Sequence, residues 1–333
     1  MNDNDTETKN APEKEISFRI GLDNNVRDNE IINVPQPLSD QFHRNGFIAL
    51  PNILDKELVS ALNNHLERIL RGQYDRGRLP DKTPKILKGQ LKEDGGTVGP
   101  LGFSGNFQNV KVLQIINVHK CNSLFREVET NPLLGQVVAK LAGWTTEGIR
   151  LVQDQIWAKP PNAAPLVFHR DSPYFMFDPP DIVTVWIALD DMDAELGPLE
   201  YVVGSHLWGD GRSGSASQFF QPNQGGKTLL YSAAEREGIP VKNLKIVSME
   251  GLQAGGMSIH WGKTWHGSGK NESRSRPRRG LGLHFAPATV KFTPEACKSS
   301  LWRSHVEGFD DLSTVILSED DFPITWKPLE ERL

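Results

Sequence analysis

The chain has 333 residues, 38% of them hydrophobic and 24% charged, with 30 glycines, 22 prolines and two cysteines. That length holds one large domain or two at most, and the composition excludes collagen, a coiled coil and a wholly disordered chain. A formal net charge of -5 gives no general attraction for nucleic acid or an anionic membrane, and no run approaches the roughly 18 apolar residues of a membrane span.

Residues 1–35 are polar, aperiodic and short of aromatics, which predicts a flexible tail with at most a short strand around Ile31 to Val34. Its first residues lack the apolar stretch of a signal peptide, so a cytoplasmic protein is expected, with one domain over 36–333. Between Asp55 and Arg71, Leu58, Ala61, Leu62, Leu66, Ile69 and Leu70 recur at helical spacing and Asp55 stands where a cap belongs. Residues 73–108, rich in Gly, Lys and Asp, are too long for a passive connection and predict a lid. Gly95, Gly96, Gly102 and Gly105 would give it hinges, Lys85, Lys88 and Lys92 a grip on an anionic substrate, and Leu101, Phe103 and Phe107 a grip on an apolar one. A second helical stretch runs from Ser123 towards Leu141, restarting at Pro132 and closing at Gly143.

From residue 148 the pattern changes to short β-type runs at 149–158, 182–189, 199–203, 227–231, 257–261 and 280–285. Many short strands without helices between them predict a mainly β protein with flanking helices, an antiparallel sandwich or barrel. Gly209, Gly211 and Gly214 match a dinucleotide-binding string but follow no βαβ strand, so a surface loop is expected there. The Gly-Lys-Thr triplets at Gly226 and Gly262 lack the earlier glycine of a phosphate loop. Arg274, Arg276, Arg278 and Arg279 run into an apolar strand, which suits an anion site inside the fold.

Cys121 and Cys297 form no C-x-x-C, so any metal must be held by histidine and carboxylate. In an extended backbone residues i and i+2 share a face, and His169 and Asp171 can therefore reach one cation. Residues 255–268 offer two candidates for a third ligand, His260 and His266. Two histidines and one carboxylate make the facial triad with open positions that suits non-haem Fe(II), which must bind a co-substrate and O₂ together.

The same order continues with Val185-Trp186-Ile187-Ala188-Leu189-Asp190, Glu195-Leu196-Gly197-Pro198-Leu199, Gly204-Ser205-His206 and His266-Gly267-Ser268 followed by Asn271. Over residues 38–287, from Gly46-Phe47-Ile48-Ala49-Leu50-Pro51 onward, the chain resembles the phytanoyl-CoA dioxygenase family of Fe(II)/2-oxoglutarate oxygenases. The resemblance implies a double-stranded β-helix, a cupin-like jelly roll, with N-terminal helices buttressing one sheet. It implies iron held by His169, Asp171 and His266, with His260 the competitor for the third place. It also implies an arginine about eleven residues past the distal histidine, whose guanidinium would pair with the distal carboxylate of 2-oxoglutarate. Eleven past His266 is Pro277, so one extra turn residue selects Arg278, with Arg276 as the fallback and Arg279 on the opposite face.

By the same resemblance Ser268 helps hold that carboxylate and Gln153, six before Lys159, contacts the co-substrate. Gln155 and Trp157 share its face, and Trp186 either lines the cavity or fills the core. The expected cofactors are Fe(II), 2-oxoglutarate and O₂, with ascorbate as a stimulant. Asp171 stands where halogenating relatives lack a carboxylate, which implies oxygen chemistry. The expected reaction is hydroxylation, desaturation or cyclisation at an aliphatic C–H of a small metabolite or intermediate of secondary metabolism, releasing succinate and CO₂. Nucleic acid and membrane are not expected partners, and the chain is expected as a monomer or homodimer. A silent jelly-roll binding protein and a cupin-like metalloenzyme without 2-oxoglutarate are the competing functions.

Overall fold

Pro35 opens the first helix, α1 (Gln36–Asn45), and Gly46 closes it at φ 86° by donating its N–H to the Phe42 carbonyl. Sequence periodicity missed α1 because the helix buries a single side chain, Phe42, and is otherwise polar. This computed structural model describes residues 34–83, 112–209 and 226–328. Residues 1–33 of the expected tail, the part of the expected lid from residue 84 to 108, and the Gly-rich string beyond Gly209 lie outside them.

Strand β1 (Phe47–Leu50) leads to α2 (Lys56–Leu70), where the Asp55 carboxylate accepts the Leu58 N–H at 2.7 Å. Its periodic face buries Leu58, Leu62, Leu66, Ile69 and Leu70 as expected. After β2 (Leu113–Ile116), the second helical stretch divides at Pro132 into α3 (Ser123–Glu129) and α4 (Pro132–Ala142), with Gly143 as the left-handed cap. There follow β3 (Ile149–Lys159), β4 (Leu166–His169), β5 (Phe177–Asp178), β6 (Val183–Ala188) and β7 (Leu199–Val202). The strand expected at 227–231 is instead the start of helix α5 (Thr228–Arg236). Leu230, Ala233 and Ala234 sit at helical spacing and pack with Phe168 and Trp265, so tertiary burial overrides the local Leu-Leu-Tyr texture. The chain closes with β8 (Ile246–Ser248), β9 (Met257–Trp261), β10 (His266–Ser268), β11 (Arg278–Pro287), β12 (Lys291–Phe292), α6 (Arg303–Val306) and β13 (Ile324–Trp326).

The large sheet has the order β1-β9-β6-β11-β3-β13, with β2 also paired to β3, and the small one the order β4-β10-β7-β8. All pairings are antiparallel. From β3 onward the chain passes repeatedly between large and small sheet, the winding of a double-stranded β-helix. The main core lies on the outer face of the large sheet, where Ile156, Leu281 and Ile259 meet the apolar faces of α2 and α4. The inner face points at the small sheet, and its polar residues build the site. Among the described residues no helix is long and apolar enough to cross a membrane.

Candidate metal centre and adjoining cavity

His169 ends β4, and His266 begins β10 directly opposite it in the ladder, with the two rings 4.3 Å apart. Asp171 is not on an extended strand. Its backbone is helical at φ -79° and ψ -44°, because the chain turns immediately after β4. The turn, rather than strand alternation, brings the carboxylate to the histidines. Oδ1 of Asp171 lies 3.5 Å from His169 Nε2 and 3.6 Å from His266 Nε2, and the three residues are buried. Their nearest ligand atoms all fall within 4.8 Å of one another.

The backbone fixes which nitrogen faces inward. His169 Nδ1–H donates to the Val167 carbonyl at 2.8 Å, and His266 Nδ1–H donates to the Thr264 carbonyl at 2.9 Å. A carbonyl can only accept, so each Nδ1 carries the proton and each Nε2 offers a lone pair to the centre. Burial also pushes the His266 pKa well below the ordinary histidine value, which keeps that lone pair free. The other oxygen of Asp171, Oδ2, accepts from Thr184 Oγ1 at 2.7 Å and from His260 Nε2 at 3.1 Å. Burial alone would raise the Asp171 pKa. The surrounding histidines, His266 foremost, outweigh it and hold the acid well below the usual carboxylate range. His260 thus steadies the carboxylate from β9, with its ring beside the Tyr201 hydroxyl, and stands outside the triad.

The triad borders a cavity of about 340 Å³ that Gln153, Gln155, Trp186 and Arg278 also line. That volume falls in the range of small-molecule sites. Arg278 begins β11, is 1% exposed, and lies 5.0 Å over the Trp186 ring. Its Nε and Nη2 have no hydrogen-bond partner. Burial lowers its pKa to about 10, still high enough to keep the charge at neutral pH. Gly280 makes room for this stack: a Cβ there would come within 2.2 Å of the Trp186 ring. Arg276, the fallback, is on the surface and pairs with Asp193 at 2.6 Å and with Glu195. Arg279 points to the other face of the strand and binds Asp190.

Ser268 is the one expected contact absent from the cavity lining. Its hydroxyl accepts from the buried Lys159 at 2.6 Å. Lys159 sits in register with Arg278 across β3 and β11. Burial and then the Arg278 charge push the Lys159 pKa well below the ordinary lysine value. Asn271 spans the turn that precedes Arg278, donating to the carbonyls of Lys159, Pro160 and Arg276. The extra turn residue is therefore absorbed by a stapled loop. Gly197 lets this loop pass close, since a Cβ there would meet the Gly269 and Lys270 carbonyls at 2.4 Å.

Thr184 and His284 were not legible as site residues from the sequence. His284 follows Arg278 by six on the same strand face, a period-two signal available in the sequence, but nothing local marks it as polar lining. A second buried group, His119, Glu129 and Asp154, lies on the outer face of β3, away from the cavity.

A family model described as phytanoyl-CoA dioxygenase (PhyH) matches residues 42–280. A probable alpha-ketoglutarate-dependent hypophosphite dioxygenase of Stutzerimonas stutzeri is 25% identical over 215 residues, 62% of this chain and 71% of its own length. Dioxygenase olcK of Penicillium canescens is 25% identical over 288 residues, 85% of this chain and 80% of its own. The fold is that of SnoN, a non-heme alpha ketoglutarate dependent epimerase from nogalamycin biosynthesis, at TM-score 0.62 and 21% identity, covering 88% of this chain and 98% of that one.

Proposed function

The chain belongs to the phytanoyl-CoA dioxygenase family, and from that premise we propose that it is an Fe(II)- and 2-oxoglutarate-dependent oxygenase. The observation that carries the proposal is a single cavity bordered by both a two-histidine, one-carboxylate cluster and a buried guanidinium whose Nε and Nη2 have no hydrogen-bond partner. The donor set fits Fe(II): two imidazole lone pairs and one carboxylate oxygen converge, and a facial arrangement leaves positions open. The guanidinium fits the second carboxylate of a diacid, because a buried cation without a partner is costly and a bidentate anion satisfies its free donors.

In this assignment His169, Asp171 and His266 hold the metal, while Thr184 and His260 keep Asp171 ionised and oriented. Arg278 anchors 2-oxoglutarate, Trp186 stacks on the guanidinium and excludes water from it, and Ser268 acts through Lys159 to set the floor beside Arg278. When bound, the metal and 2-oxoglutarate supply O₂ activation coupled to release of succinate and CO₂. The substrate is a small molecule with an aliphatic C–H, and hydroxylation is the favoured outcome because the carboxylate ligand is in place. Desaturation or cyclisation could follow from the same C–H cleavage. The relatives named for action on hypophosphite and for epimerisation mark how far reaction type varies around such a centre.

Succinate release from 2-oxoglutarate with added Fe(II), together with bound-iron analysis, tests this. His266→Ala should abolish both. His260→Ala, which removes only a partner of the carboxylate, should weaken iron by about 10- to 100-fold and leave a saturable site. The reverse ranking, or a parent protein that binds iron but leaves 2-oxoglutarate untouched, would exclude the proposal as stated.

A further inference from the structure

Two hydrogen-bond relays end on neighbouring residues of the cavity wall, and each has a direction fixed by its far end. The first starts at Lys82, whose ammonium can only donate. Lys82 Nζ donates to Gln114 Oε1 at 2.7 Å, Gln114 Nε2 donates to Gln155 Oε1 at 3.1 Å, and Gln155 Nε2 donates to Gln153 Oε1. Each amide must therefore present its oxygen backward and its nitrogen forward. The last nitrogen, Gln153 Nε2, is buried, borders the cavity and has no partner.

The second relay starts at Asp171, whose carboxylate can only accept. Thr184 Oγ1 spends its hydrogen on Asp171 Oδ2 at 2.7 Å, so it must accept from His284 Nδ1–H at 2.9 Å. The neutral ring then carries its lone pair on Nε2, which is also buried, borders the cavity and has no partner. Gln153 and His284 face each other directly across β3 and β11. Directly opposed residues of an antiparallel pair place their Cβ atoms about 5 Å apart.

A donor and an acceptor thus stand side by side, both desolvated and both unsatisfied. In the proposed assignment both ends of the co-substrate are already held, the distal carboxylate by Arg278 and the keto-acid end by the metal beside Asp171. Gln153 is accordingly placed for the primary substrate rather than for 2-oxoglutarate. We infer that Gln153 and His284 form a substrate-reading pair that recognises a hydroxyl group, which accepts and donates at a single atom. A carboxylate would meet only one usable donor and would repel the His284 lone pair. An ether oxygen or a plain methylene would leave His284 or both groups buried without partners, at a cost that such sites convert into strong discrimination.

This inference rests on the oxygenase assignment, and the experiment separates the two. Purified protein with Fe(II) and 2-oxoglutarate is assayed for succinate release against matched triples of aliphatic, alicyclic and aromatic compounds, each an alcohol, its deoxy analogue and its methyl ether. Alcohols should be favoured over both partners by about a hundredfold or more in kcat/KM. In Gln153→Glu, which keeps the shape but replaces the donor by an acceptor, and in His284→Phe, that ratio should fall to within a few-fold of one. The absorption band of the Fe(II)–2-oxoglutarate chelate checks that each variant is folded and loaded. A panel in which no alcohol is favoured by the parent, or in which the preference survives both substitutions, overturns the inference. Absence of the chelate band in the parent would instead strike the oxygenase assignment.

Discussion

An arginine that is 1% exposed and leaves Nε and Nη2 unpartnered is a charge waiting for an anion, because burial removes the water that would otherwise satisfy it. Arg278 holds that state because Trp186 covers its face and Asn271 fixes the turn before it. Removing the guanidinium deletes both the charge and the bidentate geometry that a carboxylate would use. Arg278→Ala should therefore weaken 2-oxoglutarate by about 3 to 5 kcal/mol, a hundredfold or more, with iron affinity nearly unchanged. Arg276→Ala should leave 2-oxoglutarate alone, since that side chain is spent on Asp193 and Glu195 at the surface. Titrating 2-oxoglutarate into the Fe(II) protein checks both variants. A larger loss in Arg276→Ala would mean that the turn places a different arginine at the anion.

At the scale of elements, β3 shows what sequence pattern conveys and what it hides. Helix α2 and most of the long strands were legible, because each carries its own apolar period and its own cap or flanking turn. Helix α5 was misjudged because its apolar residues are few and their burial is decided by Phe168 and Trp265, far away in the chain. The ligand triad was legible from residue type and motif order. The Lys82 and Thr184 relays were not, since their members come from different strands and meet only through register. The outer face of β3 hides a further group. Glu129 is fully buried, and burial, followed by the charge of the neighbouring Asp154 and a hydrogen bond to it, pushes its pKa well above the carboxylate range. It is protonated in the fold and titrates near 4.5 when unfolded. Its contribution is therefore complete below about pH 4.5 and is lost as pH rises towards the folded value. Across that window the parent should lose about 1.4 kcal/mol per pH unit relative to Glu129→Gln. Urea unfolding of both proteins between pH 4 and pH 7 measures this, and parallel pH profiles would show that Glu129 is ionised in the fold.

On the scale of the whole molecule, the triad joins the two sheets, beside the Lys159–Ser268 and Tyr201–Ser258 hydrogen bonds that also cross between them. His169 and His266 belong to the small sheet, and Asp171 is tied by Thr184 and His260 to β6 and β9 of the large one. A cation at this junction binds only the native arrangement, so it must stabilise the fold in proportion to its saturation. At a hundred times its dissociation constant the gain is about 2.7 kcal/mol, a rise of about 5 °C in Tm for a chain of this size. Mn(II) serves as the probe because it shares the preference for imidazole and carboxylate without undergoing the reaction. 2-Oxoglutarate should add its own increment only when the metal is present, since in the proposed assignment its keto-acid end chelates the ion and its distal end pairs with Arg278. Arg278→Ala should then keep the Mn(II) increment and lose the second one, whereas Asp171→Ala should lose both. Thermal melts of the three proteins with metal, with 2-oxoglutarate and with the two together decide the matter. An increment from 2-oxoglutarate that persists in a chelator would detach its binding from the triad and place it elsewhere on the chain.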